Sequence, residues 1–461
     1  MKYLSTRGGV APVGFADAVM MGLGTDGGLL VPEHLPSVAP DTLRTWSRLR
    51  FQDLAVEIIT PFVGEEIPRA DLIELVERSY ASFSHPEITP LRDAAGRRYL
   101  ELFHGPTAAF KDVALQLLGN VFEYLLIRDG GELNILGATS GDTGSAAIYG
   151  VRGKAGINIF MLHPKGRVSP VQERQMTAVL DANVHNVAVR GTFDDAQRVV
   201  KALFNDLNFK ERYRLGAVNS INWVRILAQT VYYFYAWGRI SGGNPECGVS
   251  FSVPTGNFGD VFAGFLARRM GLPVRRLIIA TNRNDILTRF VDTGVYAKGQ
   301  VFHTLSPAMD IQIASNFERY LYYLLDEDTA AVRALLGQME QQGRMQVDAE
   351  RHRRVRADFA AHAVSDAETL DQIRATHAES GYILCPHTAV GARAAADDPD
   401  AVVLATAHPA KFNEAVREAI GSEAPPPPSL QGLLDKPARC AELDAEADAV
   451  RGYIRETLTA A

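Results

Sequence analysis

Nine lysines in 461 residues leave few positions for chemistry that needs a primary amine. Seven of them (Lys2, Lys154, Lys165, Lys201, Lys210, Lys298 and Lys436) stand in polar or loop contexts. Lys111 is different. It follows FHGPTAAF and opens DVALQLLGNVFEYLL, in which Ala114, Leu117, Leu118, Val121 and Leu125 recur at three-to-four spacing and mark one buried helix face. An amine at the start of such a helix, on the edge of a core, has its charged form disfavoured by desolvation and by the positive dipole end. That suits a nucleophilic or Schiff-base lysine; the plainer alternative is a lysine snorkelling at a helix start.

Two strand–glycine loop–helix segments are candidates for anion binding. NILGATSGDTGSAAIYG carries the loop Thr139-Ser140-Gly141-Asp142-Thr143-Gly144, and FSVPTGNFGDVFAGFLARR carries Thr255-Gly256-Asn257-Phe258-Gly259-Asp260. Glycines let a backbone approach a ligand, and the N–H groups at the following helix start can hold an anion. Neither loop has the GK[ST] ending of a nucleotide P-loop. Taken singly, each is equally an ordinary βα turn; two together point to ligands with two anionic groups. A third segment, AVNSINWVRILAQ, sets Asn219 and Ser220 near Arg225, an arginine read as two turns into a helix among the apolar Trp223, Val224, Ile226 and Leu227. Amide, hydroxyl and guanidinium donors together suit a phosphate.

The elements that must hold these residues follow from pattern. From about residue 96, short β-branched runs at 132–138, 157–162, 186–189, 249–254, 275–281 and 401–406 alternate with helical stretches. That alternation predicts parallel sheets with crossover helices. The first 95 residues read as mostly helical. Their Gly22-x-Gly24-x-x-Gly27 has no strand before it and is followed by Pro32 and Pro36, so it reads as a turn. Residues 326–370 read as exposed helices, 425–428 as a polyproline break and 441–457 as a terminal helix. Composition is average for a globular protein, with 47% hydrophobic and 22% charged residues. A net charge of −7 argues against nucleic-acid binding. No run reaches the roughly 18 apolar residues of a membrane helix, and the N-terminus has no signal-peptide h-region. Cys247, Cys385 and Cys440 lack metal or disulfide spacing and read as inert core residues in a cytoplasmic protein.

FHGPTAAFKD, GATSGDTGSAA, NSINWVRILAQ, PTGNFGD and LATAHPAKF, with the opening YLSTRGG and GTDGGLLVP, resemble the threonine synthases of the longer bacterial and fungal form. These are pyridoxal-phosphate enzymes of the tryptophan-synthase-β group, fold type II. The resemblance runs from Tyr3 to about Val416. It implies an N-terminal domain over 1–95 and a catalytic region over 96–416, whose smaller α/β subdomain covers roughly 112–215, and it leaves 417–461 as a C-terminal extension. It makes Lys111 the Schiff-base lysine and catalytic base, and Gly256, Asn257, Phe258, Gly259 and Asp260 the loop for the cofactor phosphate. Within that loop Asp260 is expected to act as a helix N-cap. Ser140, Gly141 and Thr143 match the loop for the substrate carboxylate. Asp142 stands where relatives often carry Asn near the cofactor's 3′-oxygen. Thr406 faces the pyridine nitrogen, and Asn219, Ser220 and Arg225 take the substrate phosphate. His387, Thr388, His408 and Lys411 match positions near the pocket.

The implied activity is conversion of O-phospho-L-homoserine and water to L-threonine and phosphate, by a monomer or homodimer needing no metal. Two alternatives stay open. A serine or threonine ammonia-lyase shares the cofactor but has no substrate phosphate, which leaves the Asn219–Ser220–Arg225 cluster and the long N-terminal domain unexplained. A silent ligand-binding homologue has no use for Lys111.

Overall fold

The computed structural model describes residues 1–460. Along the chain, β1 (Tyr3–Ser5) pairs antiparallel with β2 (Leu30–Pro32). The helices Phe15–Met21, Pro40–Trp46, Phe51–Val63 and Arg69–Tyr80 make up most of the rest of the N-terminal part. A hairpin, β3 (Leu91–Ala94) and β4 (Arg97–Glu101), comes next. Then follow β5 (Leu133–Ala138), β6 (Ile157–Pro164), β7 (Val184–Arg190) and β8 (Leu215–Gly216). After them come β9 (Val249–Pro254), β10 (Val274–Thr281), β11 (Val295–Ala297) and β12 (Arg344–Gln346). The last three are β13 (Phe359–Ala363), β14 (Val402–Ala405) and β15 (Ala441–Asp444).

The chain forms two compact units, each built on its own sheet. The larger comprises 1–77, 83–104 and 220–425. Its sheet runs β13-β10-β9-β14-β4-β3, parallel throughout except for the β3–β4 hairpin. All six residues of β9, VSFSVP, are buried, as a strand covered on both faces requires. Tyr99, Ile278, Val390, Val403 and Ala405 belong to the core on this sheet. The smaller unit comprises 78–82, 105–219 and 426–461, with a fully parallel sheet in the order β15-β7-β6-β5-β8. Its core holds Leu136, Phe160, Leu162, Val187, Val199 and Leu203, and the last helix, Ala447–Ala460, adds Val450 and Ile454.

Three expectations change. The 326–370 segment is not helix alone: β12 lies within it, and β13 forms the edge of the larger sheet beside β10. The sequence FAAHA carries no β-branched residue, so the strand left no pattern to read. The terminal helix begins at Ala447 rather than Ala441, because Ala441–Asp444 pairs in parallel with β7. Of the cysteines only Cys385 is buried, whereas Cys247 is half-buried and Cys440 exposed. The Gly22–Gly27 segment is a turn as read: Gly22 closes the Phe15–Met21 helix, and Gly24 and Gly28 pair through a 2.8 Å backbone bond.

Candidate active site

In the smaller unit, Lys111 is the first residue of the helix Lys111–Asp129 and is 8% exposed. The turn before it is locked by Asp112, which accepts from the Thr107 N–H at 2.8 Å and its hydroxyl at 2.7 Å. A Cβ on Gly105 would lie 2.4 Å from the Asp112 Cβ, so only glycine fits there. The Lys111 helix crosses the helix Asp142–Val151 at two glycines. A Cβ on Gly119 would stand 1.9 Å from the Gly150 carbonyl oxygen, and one on Gly150 2.5 Å from that of Leu115. Backbones this close bring the two helix starts together, and Lys111 Nζ lies 3.8 Å from Asp142 Oδ2. The other carboxylate oxygen accepts from Gln172 Nε2 at 2.8 Å, and Gln172 in turn accepts from the Ser169 hydroxyl at 3.0 Å.

The loop 139–144 is shaped by Thr139, whose hydroxyl oxygen accepts from Gly141 N at 3.0 Å and Gly144 N at 2.9 Å. Gly141 precedes the Asp142 helix with φ 149°, where a Cβ would strike Gln172 at 2.5 Å. Ser140 is exposed, Asp142 buried and Thr143 half-buried. Sequence reasoning missed Asp112, Gln172 and Gln175, which donates to the Thr107 carbonyl at 3.0 Å. Their roles come from tertiary proximity, and no local pattern announces them.

In the larger unit, the loop 255–260 leaves the carboxyl end of β9 and Thr406 leaves that of its parallel neighbour β14, the sheet edge where α/β proteins bind ligands. Thr406 is buried, and its N–H donates to the Thr388 hydroxyl at 3.3 Å. A Cβ on Gly256 would meet the Ala308 carbonyl at 2.5 Å. Phe258 sits before the helix Gly259–Arg269 in the left-handed region, φ 67°, which costs a residue with a Cβ about 1–2 kcal/mol. Its ring is enclosed by Phe317, Tyr320 and Phe359 at 5.3, 5.9 and 5.7 Å between centroids. The N-cap role expected for Asp260 is not what the structure has. Its Oδ1 accepts from the hydroxyls of Tyr232 at 2.5 Å and Tyr233 at 2.9 Å, while Oδ2 has no partner among the described residues. Burial pushes its pKa up to about 6, against the lowering effect of the two hydroxyls.

Arg225 lies one turn, not two, into the helix Trp223–Ser241, whose start is capped by Asn222. It is 4% exposed, and its Nε and Nη1 have no hydrogen-bond partner among the described residues. Burial lowers its pKa to about 10, so it stays cationic at neutral pH. A buried guanidinium with unused donors is the arrangement an anion completes. Ser220, half-buried, is the residue that begins this part of the larger unit; Asn219 precedes it as the last residue of the smaller unit's central segment. His387 and His408 hold loops: His387 Nε2 accepts from Ala308 N at 3.2 Å, and His408 Nδ1 from Ala410 N at 3.3 Å. Burial lowers the His408 pKa to about 4, which keeps that acceptor unprotonated. Lys411 is buried.

In the larger unit, the loop at Gly256, which has no room for a side chain, fits a phosphate held by backbone amides, and Arg225 has unpaired Nε and Nη1 donors for a further anion. In the smaller unit, Lys111 is a buried amine that fits a cofactor carbonyl. The profile of pyridoxal-phosphate dependent enzymes matches residues 99–406, and the chain belongs to that family. Profiles for the threonine synthase N terminus and C-terminal part match 2–80 and 388–454. The threonine synthase of Pseudomonas aeruginosa is 47% identical over 99% of this chain and 98% of its own length. That of Saccharomyces cerevisiae is 48% identical over 91% and 89%. The crystal structure of PLP-bound threonine synthase from Brucella melitensis superposes with a TM-score of 0.96, 46% identity and 99% coverage of both chains. Within the pyridoxal-phosphate enzymes, the chain is a member of the threonine synthase family.

Proposed function

We propose that the chain converts O-phospho-L-homoserine and water to L-threonine and phosphate. Beside the family membership, the observation that carries this reading is Arg225, a buried cation with unpaired donors. An ammonia-lyase has no second phosphate to pair with it, and a vacant buried charge is costly.

Pyridoxal phosphate, when bound, supplies an aldehyde that condenses with amines and a ring that withdraws electrons from the substrate α-carbon. Lys111 is the amine that would hold it, and as the base Lys111 takes the substrate's α-proton and then a β-proton, returning them to the γ-carbon and the α-carbon. Asp142, oriented by Gln172, keeps a fixed carboxylate beside that amine. Gly256, Asn257, Phe258, Gly259 and Asp260 form the cofactor's phosphate loop, with backbone amides as donors. Thr406 would face the ring nitrogen with a hydroxyl rather than a carboxylate. Ser140, Gly141 and Thr143 take the substrate carboxylate. Asn219, Ser220 and Arg225 hold the γ-phosphate as its C–O bond breaks and the electron pair leaves with it; water then adds at the β-carbon. The enzyme works in the cytoplasm as a monomer or homodimer.

Assaying phosphate release from O-phospho-L-homoserine against ammonia release from L-serine tests the reading. Arg225→Ala is expected to lower kcat/KM for the phosphorylated substrate by about 2–4 kcal/mol of transition-state stabilisation while pyridoxal phosphate stays bound. Loss of cofactor with unchanged substrate kinetics would assign Arg225 to the cofactor instead.

A further inference from the structure

We propose that Asn316 is a positioning residue that sets two anion-binding segments of the larger unit at once, the glycine loop after β9 and the Ser220–Arg225 segment. The ligand assignments rest on the function proposed above; the geometry does not. Asn316 is fully buried and precedes the helix Phe317–Leu324. Its backbone N–H donates to the Asn257 carbonyl at 3.0 Å. Its side-chain amide donates to the carbonyls of Ser220 at 2.9 Å and Asn257 at 3.3 Å. Its Oδ1 accepts from Arg319 Nη1 at 2.5 Å. Arg319, also fully buried, spends its other donors on the Ile221 carbonyl at 2.6 Å and on Leu30 of β2 at 2.9 and 3.1 Å. Next to Asn316, the Ser315 hydroxyl meets that of Ser220 at 2.9 Å.

Carbonyls are the groups held, and this decides what the contacts do. In a planar trans peptide the C=O and the following N–H point in opposite directions. Holding the Asn257 carbonyl therefore aims the Phe258 N–H away from Asn316, and holding those of Ser220 and Ile221 aims the next two amides. The same helix supplies Phe317 and Tyr320 to the rings that enclose left-handed Phe258. A strained residue persists only where its surroundings impose the conformation. One side chain thus templates the amides of one loop and the backbone entering the Arg225 helix, so loosening it should weaken both ligands together.

The test compares Asn316→Ala and Ser315→Ala with the wild-type holoenzyme. Pyridoxal phosphate affinity is read by absorbance titration after resolution, inorganic phosphate affinity by calorimetry on the holoenzyme, and KM and kcat with O-phospho-L-homoserine. Asn316→Ala keeps the backbone bond to the Asn257 carbonyl and loses the side-chain bonds, so it is expected to weaken inorganic phosphate roughly tenfold and pyridoxal phosphate roughly threefold. KM should rise more than kcat falls. Ser315→Ala removes the Ser220 contact alone, so it should weaken phosphate and raise KM with less than about a twofold change in cofactor affinity. If Asn316→Ala does not fold, Asn316→Ser, whose short hydroxyl cannot reach both carbonyls, carries the same expectation. A folded Asn316 variant that weakens only one ligand, or neither, overturns the proposal, as does a Ser315→Ala protein with unchanged phosphate binding. A wild-type protein that binds both ligands yet releases no phosphate from the substrate would instead sink the functional reading and leave the binding comparison intact.

Discussion

At the residue scale, function depends on where charge is placed and what neutralises it. Thr406 puts a hydroxyl, not a carboxylate, after β14. Thr406→Asp is expected to favour a protonated ring nitrogen by charge pairing and to strengthen electron withdrawal. Threonine yield should fall, with a new long-wavelength absorbance or a side product on adding substrate. A folded variant with unchanged spectrum and product ratio would show that Thr406 does not face the ring. Asp260 makes a stability prediction with a defined sign. Its folded pKa of about 6 lies above the usual 3.8, so the native state binds the proton more tightly. Its protonated form supports the fold at low pH, and that support is lost as pH rises from about 4 to about 6. Asp260→Asn, which cannot ionise, should lack this loss. The melting temperature of the wild type relative to the variant should therefore fall between pH 4 and 6.5, and a flat difference would contradict the placement of Asp260.

At the scale of elements, the helix crossing at Gly119 and Gly150 carries the geometry. An alanine at Gly150 puts its Cβ 2.5 Å from the Leu115 carbonyl, a backbone atom that cannot swing away. Gly150→Ala is expected to cost about 1–3 kcal/mol in chemical denaturation, and to depress activity beyond that loss because Lys111 and Asp142 move apart. Wild-type stability and activity would contradict the crossing. The parallel strands were legible because the runs at 133–138, 157–164, 249–254 and 274–281 are short, rich in Val, Ile, Leu and Phe, and separated by helical stretches. β13 was not: FAAHA is stabilised by its place at the edge beside β10, which is a tertiary fact. The two glycine loops and Lys111 carried local signals, namely glycine spacing and a lysine at the head of an apolar helix. Asn316, Arg319, Gln172 and Asp112 carried none, since what they bond lies elsewhere in the chain.

At the scale of the whole molecule, the order of segments conceals how they are shared out. The chain beyond residue 425 returns to the smaller unit, where β15 pairs with β7 and Val450 and Ile454 enter the core. That pairing is between residues some 250 positions apart, out of reach of periodicity. The conversion of O-phospho-L-homoserine to L-threonine is what Lys111 is expected to carry. Its most direct test supplies purified holoenzyme with O-phospho-L-homoserine and measures phosphate and L-threonine together, beside Lys111→Ala. The wild type is expected to yield one threonine per phosphate. Lys111→Ala should fold, keep its melting profile and lose activity by several orders of magnitude. Substantial threonine formation by the Lys111→Ala protein, or phosphate release without threonine from the wild type, would contradict it.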